Sequence, residues 1–163
     1  MVAILHASIT LQKDESMADQ PLYIIGVDGS ACSKRAVEFC ARHAQQTGAK
    51  LLLATIVHWS GFAPLSVEEA MRRPIDKQQE ERVARETVLE PLVKLANDLG
   101  VEPVETYYSW GHPAHSLAHL AKERKAEMIF VGRRGHSALS DLLLGSVANS
   151  LAHISDVPVV LVP

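Results

Sequence analysis

Short apolar runs alternate along this chain with longer segments in which apolar residues recur at helical spacing. Continuous apolar runs of this length are typical of strands that are buried on both faces, as in a parallel sheet. The sequence predicts five strands, the third from alternating apolar and polar residues and the other four from such runs: Leu22–Val27, Leu51–Val57, Pro103–Ser109, Glu127–Gly132 and Val157–Val162.

The segments between these strands predict helices with recognisable starts and stops. Ser30 or Ser33 is suited to cap the first helix, and Gly48 is suited to end it. Pro91 lies inside the second helical pattern, where a proline is expected to kink the helix. The other predicted helices are Lys77–Leu99, His112–Lys125 and Ser146–Ile154, and residues 58–74 are predicted to form a loop.

Strands that alternate with helices imply right-handed crossovers and a mostly parallel sheet. We therefore predict a single α/β domain with a five-stranded parallel sheet in the order 3-2-1-4-5 and helices on both faces, as in flavodoxin-like folds. Ligands of such sheets bind beyond the strand ends, where the strand order reverses. Asp28, after the first strand, and the segment from Gly132 onward should therefore share one cleft.

The length of 163 residues suits one domain. Residues 1–20 are predicted to be a poorly ordered extension, because Met17 offers a second plausible start just ahead of the first strand. Residues 21–163 then form the domain.

Charge and hydrophobic composition argue against two classes of protein, general nucleic-acid binders and membrane-spanning proteins. The formal net charge of −3 lacks the basic excess of a general nucleic-acid binder, and no apolar run approaches the roughly 20 residues needed to span a bilayer. Cys32 and Cys40 would lie about 12 Å apart along a helix, which is too far for a disulfide. The sequence therefore predicts a cytoplasmic protein that neither binds nucleic acid nor inserts into a membrane.

A glycine-spaced segment carries the clearest chemical signal. Gly132 and Gly135 leave the fourth strand, and Gly145-Ser146 opens a helix ten residues later. Free backbone N–H groups at a helix start bind phosphate. We expect these amides and the Ser146 hydroxyl to hold a phosphate, with Arg133 or Arg134 as a mobile cation.

This spacing, G-x2-G-x9-G-S, resembles the nucleotide-binding signature of the universal stress protein family. The resemblance extends from about residue 22 to the C-terminus. It also rests on three further matches in order: Val27-Asp28-Gly29-Ser30, Gly111-x-Pro113 and Val157-Pro158-Val159-Val160.

The resemblance implies a stress-response protein that binds ATP or AMP, with or without Mg²⁺, as a homodimer paired through the last strand, Val157–Val162. Asp28 and the backbone of Ile56 and Val57 would hold adenine and ribose. The residues implied to hold ribose and phosphates are Gly132, Gly135, Gly145, Ser146 and Val147. The residue types are consistent with an adenine nucleoside. The Asp28 carboxylate can accept hydrogen bonds, and Val27, Ile56 and Val131 would form an apolar surface that keeps water from the base.

One departure from the family pattern bears on which nucleotide is bound. Ala148 stands where some ATP-binding relatives carry a hydroxyl residue. The cationic pair Arg133-Arg134 would either compensate for that loss or favour a shorter nucleotide such as AMP.

Other interpretations remain open for several residues. Asp28 is also suited to cap the first helix. His112, His115 and His119 are spaced to bind a metal on one helix face, but they suit a polar surface better, and no metal ligands are assigned. Cys32 lies near a helix start, where a thiol becomes reactive, although packing explains it as well.

No catalytic residue is assigned, because Asp141 is the only acid within the glycine-spaced segment. A binding and regulatory protein with an unidentified protein partner is therefore favoured over an enzyme. The alternatives are a weak ATP hydrolase and a partner-binding dimer with a vestigial pocket.

Overall fold

The computed structural model describes residues 20–58, 78–136 and 143–163. Five parallel strands form one sheet in the order β3-β2-β1-β4-β5, which confirms the predicted fold. The strands are β1 (Leu22–Gly26), β2 (Lys50–His58), β3 (Val104–Gly111), β4 (Met128–Gly132) and β5 (Val159–Val162). The predicted extension, apart from residue 20, and nearly all of the predicted loop at 58–74 lie outside the described residues.

The helices pack against the two faces of this sheet, as predicted. They are α1 (Ala31–Thr47), α2 (Glu90–Asp98), α3 (Pro113–Glu123) and α4 (Ser146–Ile154). Helical residues 78–84 and a π-helical turn at Arg85–Leu89 lead directly into α2. The predicted bounds of α4 agree with the structure, and those of the other helices and of the strands differ by at most two residues where they are described.

The predicted irregularity at Pro91 is seen in the structure as a π-helical turn just before the proline. In an ordinary α-helix the N–H of residue 91 would donate to the carbonyl of Thr87. Pro91 has no N–H, so that carbonyl would lose its hydrogen bond. The wider turn at Arg85–Leu89 precedes the proline, and Pro91 itself lies in the first turn of α2. The predicted irregularity is therefore a local widening of the helix ahead of the proline.

The central strand β1 separates two apolar layers. Tyr23 and Ile25 point into the layer built with α1 and α2, while Ile24 points into the layer built with α3 and α4. All three side chains are at most 1% exposed. Burial on both faces explains why this strand appears in the sequence as an unbroken apolar run.

Helix α1 has a defined cap at each end. The Ser30 side chain accepts a hydrogen bond from the Ser33 N–H, so Ser30 is the N-cap. Gly48 ends the helix in the left-handed conformation with φ of 70°. Asp28 and Ser33, which the sequence also offered as caps, are not the N-cap. The Asp28 carboxylate accepts the Ser30 N–H, and the Ser33 hydroxyl donates to the Ser30 carbonyl.

Candidate functional site

The site begins where β1 ends against β2. The Val27 N–H donates to the carbonyl of Ala54 at 2.9 Å, and the Thr55 hydroxyl donates to the carbonyl of Val27 at 2.6 Å. These bonds fix the backbone of Val27 after the last strand residue. Asp28 therefore leaves the sheet from a rigid position.

The Asp28 carboxylate joins two segments that are distant in sequence. One oxygen accepts the Ser30 N–H at 2.9 Å, and the other accepts the His136 N–H at 3.1 Å. Burial by itself raises the pKa of Asp28, but hydrogen bonds from Ser30, His136 and Ser33 outweigh it. The pKa of the carboxyl therefore lies below its usual value, and Asp28 is an anion at neutral pH.

Glycines allow the segment after β4 to approach the backbone after β1. A β-carbon on Gly135 would lie 2.5 Å from Oδ2 of Asp28, and one on Gly132 would lie 2.7 Å from Cβ of Cys32. The Gly145 N–H donates to the carbonyl of Arg133 at 2.8 Å, which draws the start of α4 onto the end of β4. A side chain at Gly132 or Gly135 would force these segments apart.

The first amides of α4 face the same region. Gly145 is the N-cap, in an extended conformation, and it offers no side chain to the amides that follow. The first N–H groups of a helix have no partner inside the helix. Together with the positive end of the helix dipole, they favour an anion beside Ser146 and Val147.

A cavity of about 460 Å³ opens between these elements. Ten of the predicted site residues line it: Val27, Asp28, Ile56, Val131, Gly132, Arg134, Gly135, Gly145, Ser146 and Val147. Val57 and Arg133 do not belong to the lining. The structure thus brings most of the predicted residues to one place.

The two arginines after β4 differ in their surroundings. Arg134 lines the cavity, and its Nε is buried without a hydrogen bond to any described part of the chain. The backbone N–H of Arg133 instead donates to the carbonyl of Val162, beyond the paired residues of β4 and β5. Of the two cations that the sequence left open, Arg134 is the one placed to meet an anion in the cavity.

Sequence reasoning missed the lining contributed by the ends of β2 and β3. His58 is the last residue of β2, and His112 and Pro113 follow β3. Since parallel strands end at one edge of a sheet, the residues just after each predicted strand were the available signal. Further lining residues that were not predicted are Gly26, Ser33, Ala54, Leu117, Ala148 and Ser150.

The structure gives no support for a metal site at the histidines within the described residues or for a disulfide between the cysteines. No three potential metal ligands are grouped within the described segments, and the rings of His112 and His115 lie edge to face at 4.9 Å. Cys32 and Cys40 are free thiols, as expected from their separation, and Arg35 donates to the Cys32 sulfur at 2.8 Å. Asp141 lies outside the described residues.

The sequence that forms this site matches a known protein family. The model of the universal stress protein family matches residues 24–163, which include every site residue named above. The chain belongs to the universal stress protein family. Among the helices that the structure describes, none is both long and apolar enough to cross a bilayer.

The relatives that this chain matches differ in how much of their own length the match covers. Universal stress protein YxiE from Bacillus subtilis (strain 168) is 31% identical over 144 residues, covering 85% of this chain and 96% of that protein. Two mycobacterial universal stress proteins are longer, and the match spans 47% of their length.

Solved structures agree on the fold. Universal stress protein UspA from Lactobacillus plantarum superposes with a TM-score of 0.75 at 17% identity, covering 90% of this chain and 99% of that one. A universal stress protein in complex with cAMP superposes with a TM-score of 0.60 at 29% identity, covering 88% of this chain and 96% of that one.

Proposed function

We propose that this universal stress protein binds an adenine nucleotide in the cavity and acts as a regulatory binding module. The observation that carries the proposal is the meeting of the Asp28 carboxylate with the glycine-spaced segment around one cavity. A volume of about 460 Å³ lies within the usual range of small-molecule sites, about 300–1,000 Å³.

The phosphate end of the ligand would lie at the start of α4. The amides of Ser146 and Val147 and the Ser146 hydroxyl offer donors there, and Arg134 supplies a cation whose Nε lacks a partner in the described chain. Hydrogen bonds from charged donors to phosphate are stronger than those between neutral groups. The residues present therefore fit a phosphate group.

The nucleoside end would lie over the ends of the central strands. Val27, Ile56 and Val131 offer an apolar surface to a base, and Asp28 has further lone pairs to accept a ribose hydroxyl or an adenine amine. The relative in complex with cAMP, at 29% identity, supports an adenine ligand for this family member.

The proposal favours binding over hydrolysis. Asp28 is the only carboxylate among the described lining residues, and it already accepts two backbone N–H groups. A general base or a metal-binding carboxylate beside the phosphates is thus missing from the described lining. Mg²⁺, if it accompanies ATP, would be held chiefly by the phosphates.

The choice between ATP and AMP follows from the same lining. Ala148 is almost fully buried and offers no hydroxyl, so fewer side-chain donors remain for a second or third phosphate. We expect AMP to bind at least as tightly as ATP. Cytoplasmic location, a protein partner and dimerisation through β5 stay predictions.

Calorimetric titration of the purified protein with ATP and AMP tests the proposal. We expect saturable binding, and a loss of about tenfold in affinity in Asp28→Asn, because a charged acceptor becomes a neutral amide. Asp98→Asn is the matched control, since Asp98 pairs with Lys94 on the exposed end of α2 and should leave affinity unchanged. Absence of binding at millimolar concentration of either nucleotide would leave the vestigial pocket as the explanation, whereas steady release of phosphate from ATP would favour the hydrolase.

A further inference from the structure

Two histidine rings form one end of the cavity. His58 ends β2 and His112 follows β3, and their ring centroids lie 6.0 Å apart. Both side chains are exposed, and both line the cavity. The nearest lining residues on the same strands and on α3 are apolar: Ala54, Ile56, Pro113 and Leu117. Among the described residues, the two imidazoles therefore supply the polar groups at this end.

Strand register separates the histidines from the glycine-spaced segment. Ala54 and Val131 both pair with Gly26, from opposite sides of β1. His58 is four residues beyond that level and Gly132 is one residue beyond it, so His58 lies about 10 Å farther along the strands. It is also two strands away, about 10 Å across the sheet. A ligand anchored by phosphate at the glycines would extend its base toward the histidines.

We infer that His58 and His112 are specificity residues that distinguish a 6-amino purine from a 6-oxo purine in the nucleotide. This inference rests on the proposed function, because it requires the phosphate to lie at the start of α4. The 6-amino group of adenine donates hydrogen bonds, whereas the 6-oxo group of hypoxanthine accepts them.

Imidazole chemistry makes this selectivity depend on pH. A neutral imidazole carries one acceptor nitrogen and one donor, while a protonated imidazole carries two donors. A neutral ring can therefore accept from the 6-amino group of adenine or donate to a 6-oxo group. Protonated rings can only donate, which favours the 6-oxo group. Acidification from neutral pH adds protons to imidazole groups more readily than to the other side chains that line the cavity, so we expect a lower pH to shift preference from adenine toward hypoxanthine.

The charged side chains that line the cavity, Asp28 and Arg134, keep the same charge at pH values from about 5 to 8. Asp28 has a lowered pKa, and arginines such as Arg134 stay charged at these pH values. His115 is the further imidazole nearby, with its ring 4.9 Å from that of His112. The ligand phosphate also gains a proton near pH 6, but AMP and inosine monophosphate share that change. The ratio of their affinities thus isolates the contact with the base.

The test is calorimetric titration with AMP and with inosine monophosphate at about pH 8 and at about pH 5.5. We expect the ratio of AMP affinity to inosine monophosphate affinity to fall by about tenfold at the lower pH, which is the size of one or two hydrogen bonds. In His58→Gln/His112→Gln, neither side chain titrates, and the ratio should change by less than about twofold. His153→Gln, in the last turn of α4 and outside the cavity lining, is the control and should keep the full shift.

The outcomes separate this inference from the proposed function. If both nucleotides bind with a ratio that is the same at the two pH values, the histidines do not select the base, and nucleotide binding stands. A shift that persists in the double variant overturns the inference in the same way. If neither nucleotide binds at either pH, the proposed function fails together with the inference.

Discussion

The Asp28 carboxylate accepts a hydrogen bond from the backbone N–H of His136 at 3.1 Å, across 108 residues of sequence. This bond ties the turn after β1 to the glycine-spaced segment after β4. Since the same carboxylate also accepts the Ser30 N–H, it organises both sides of the proposed nucleotide site before any ligand arrives.

Replacement of Asp28 by asparagine should lower stability in a pH-dependent way. The pKa of Asp28 in the folded protein lies below its ordinary value of 3.8, so the ionised carboxylate stabilises the fold above that pH. This contribution is lost as the pH falls through the folded pKa. Because Asp28 is partly exposed to solvent, we expect Asp28→Asn to cost no more than about 1 kcal/mol at neutral pH.

Urea unfolding of both proteins at a series of pH values checks this prediction. The difference between them should shrink as the pH falls below 3.8. A difference that stays constant across the series would mean that the charge of Asp28 does not stabilise the fold.

Addition of one methyl group at Gly135 should weaken nucleotide binding. The new carbon would lie 2.5 Å from Oδ2 of Asp28, so either the carboxylate or the glycine-spaced segment must move. We expect the affinity for AMP in Gly135→Ala to drop by about tenfold or more, with the fold retained, because the site depends on this close approach.

Gly48→Ala is the matched control for this substitution. A β-carbon on Gly48 meets no atom of the described residues within 4 Å, but its φ of 70° disfavours a side chain. We expect Gly48→Ala to cost about 1 kcal/mol of stability and to leave affinity unchanged. Equal affinity in Gly135→Ala and wild type would contradict the proposed geometry.

The N-cap of α1 should contribute measurably to stability. Ser30 accepts the Ser33 N–H at 3.1 Å and is almost fully buried. Its replacement by alanine leaves that amide without a partner and should cost about 1 kcal/mol in urea unfolding. Ser30→Thr keeps the hydroxyl and should recover most of the loss. If the two variants were equally destabilised, the loss would come from packing and not from the cap.

Dimerisation through the last strand should be detectable by light scattering. β5 lies at one edge of the sheet, and its half-buried residues Val159, Val160 and Leu161 are apolar. An apolar edge strand of this kind pairs readily with another strand. We expect the mass of two chains in solution.

Charge on the edge strand provides the variant test of this dimer. Val160→Lys should give a folded monomer by light scattering and circular dichroism, because lysine on an edge opposes pairing. Thr106→Lys, at an exposed position of the opposite edge strand β3, should remain dimeric. A wild-type protein with the mass of one chain would contradict the dimer.

The sequence predicts much of this site because its signals are local. The apolar run of β1, the glycines after β4 and the Gly145-Ser146 helix start can each be recognised within a few residues. The side-chain partners cannot be recognised in this way. Nothing near Arg133 and Arg134 in the sequence indicates which of the two faces the cavity, and nothing near Asp28 indicates that it binds the His136 N–H.

By itself, the sequence determined the order of strands and helices, the parallel sheet and the positions of the glycines. These follow from hydrophobic periodicity and from residues with special backbone freedom, which act over short stretches of chain. Only the tertiary structure decided that Arg134 lines the cavity, that Val57 does not, and that the His58 and His112 rings lie side by side at its end. Those outcomes depend on strand register and on the direction in which each side chain leaves the sheet edge, and both are fixed by packing between distant segments.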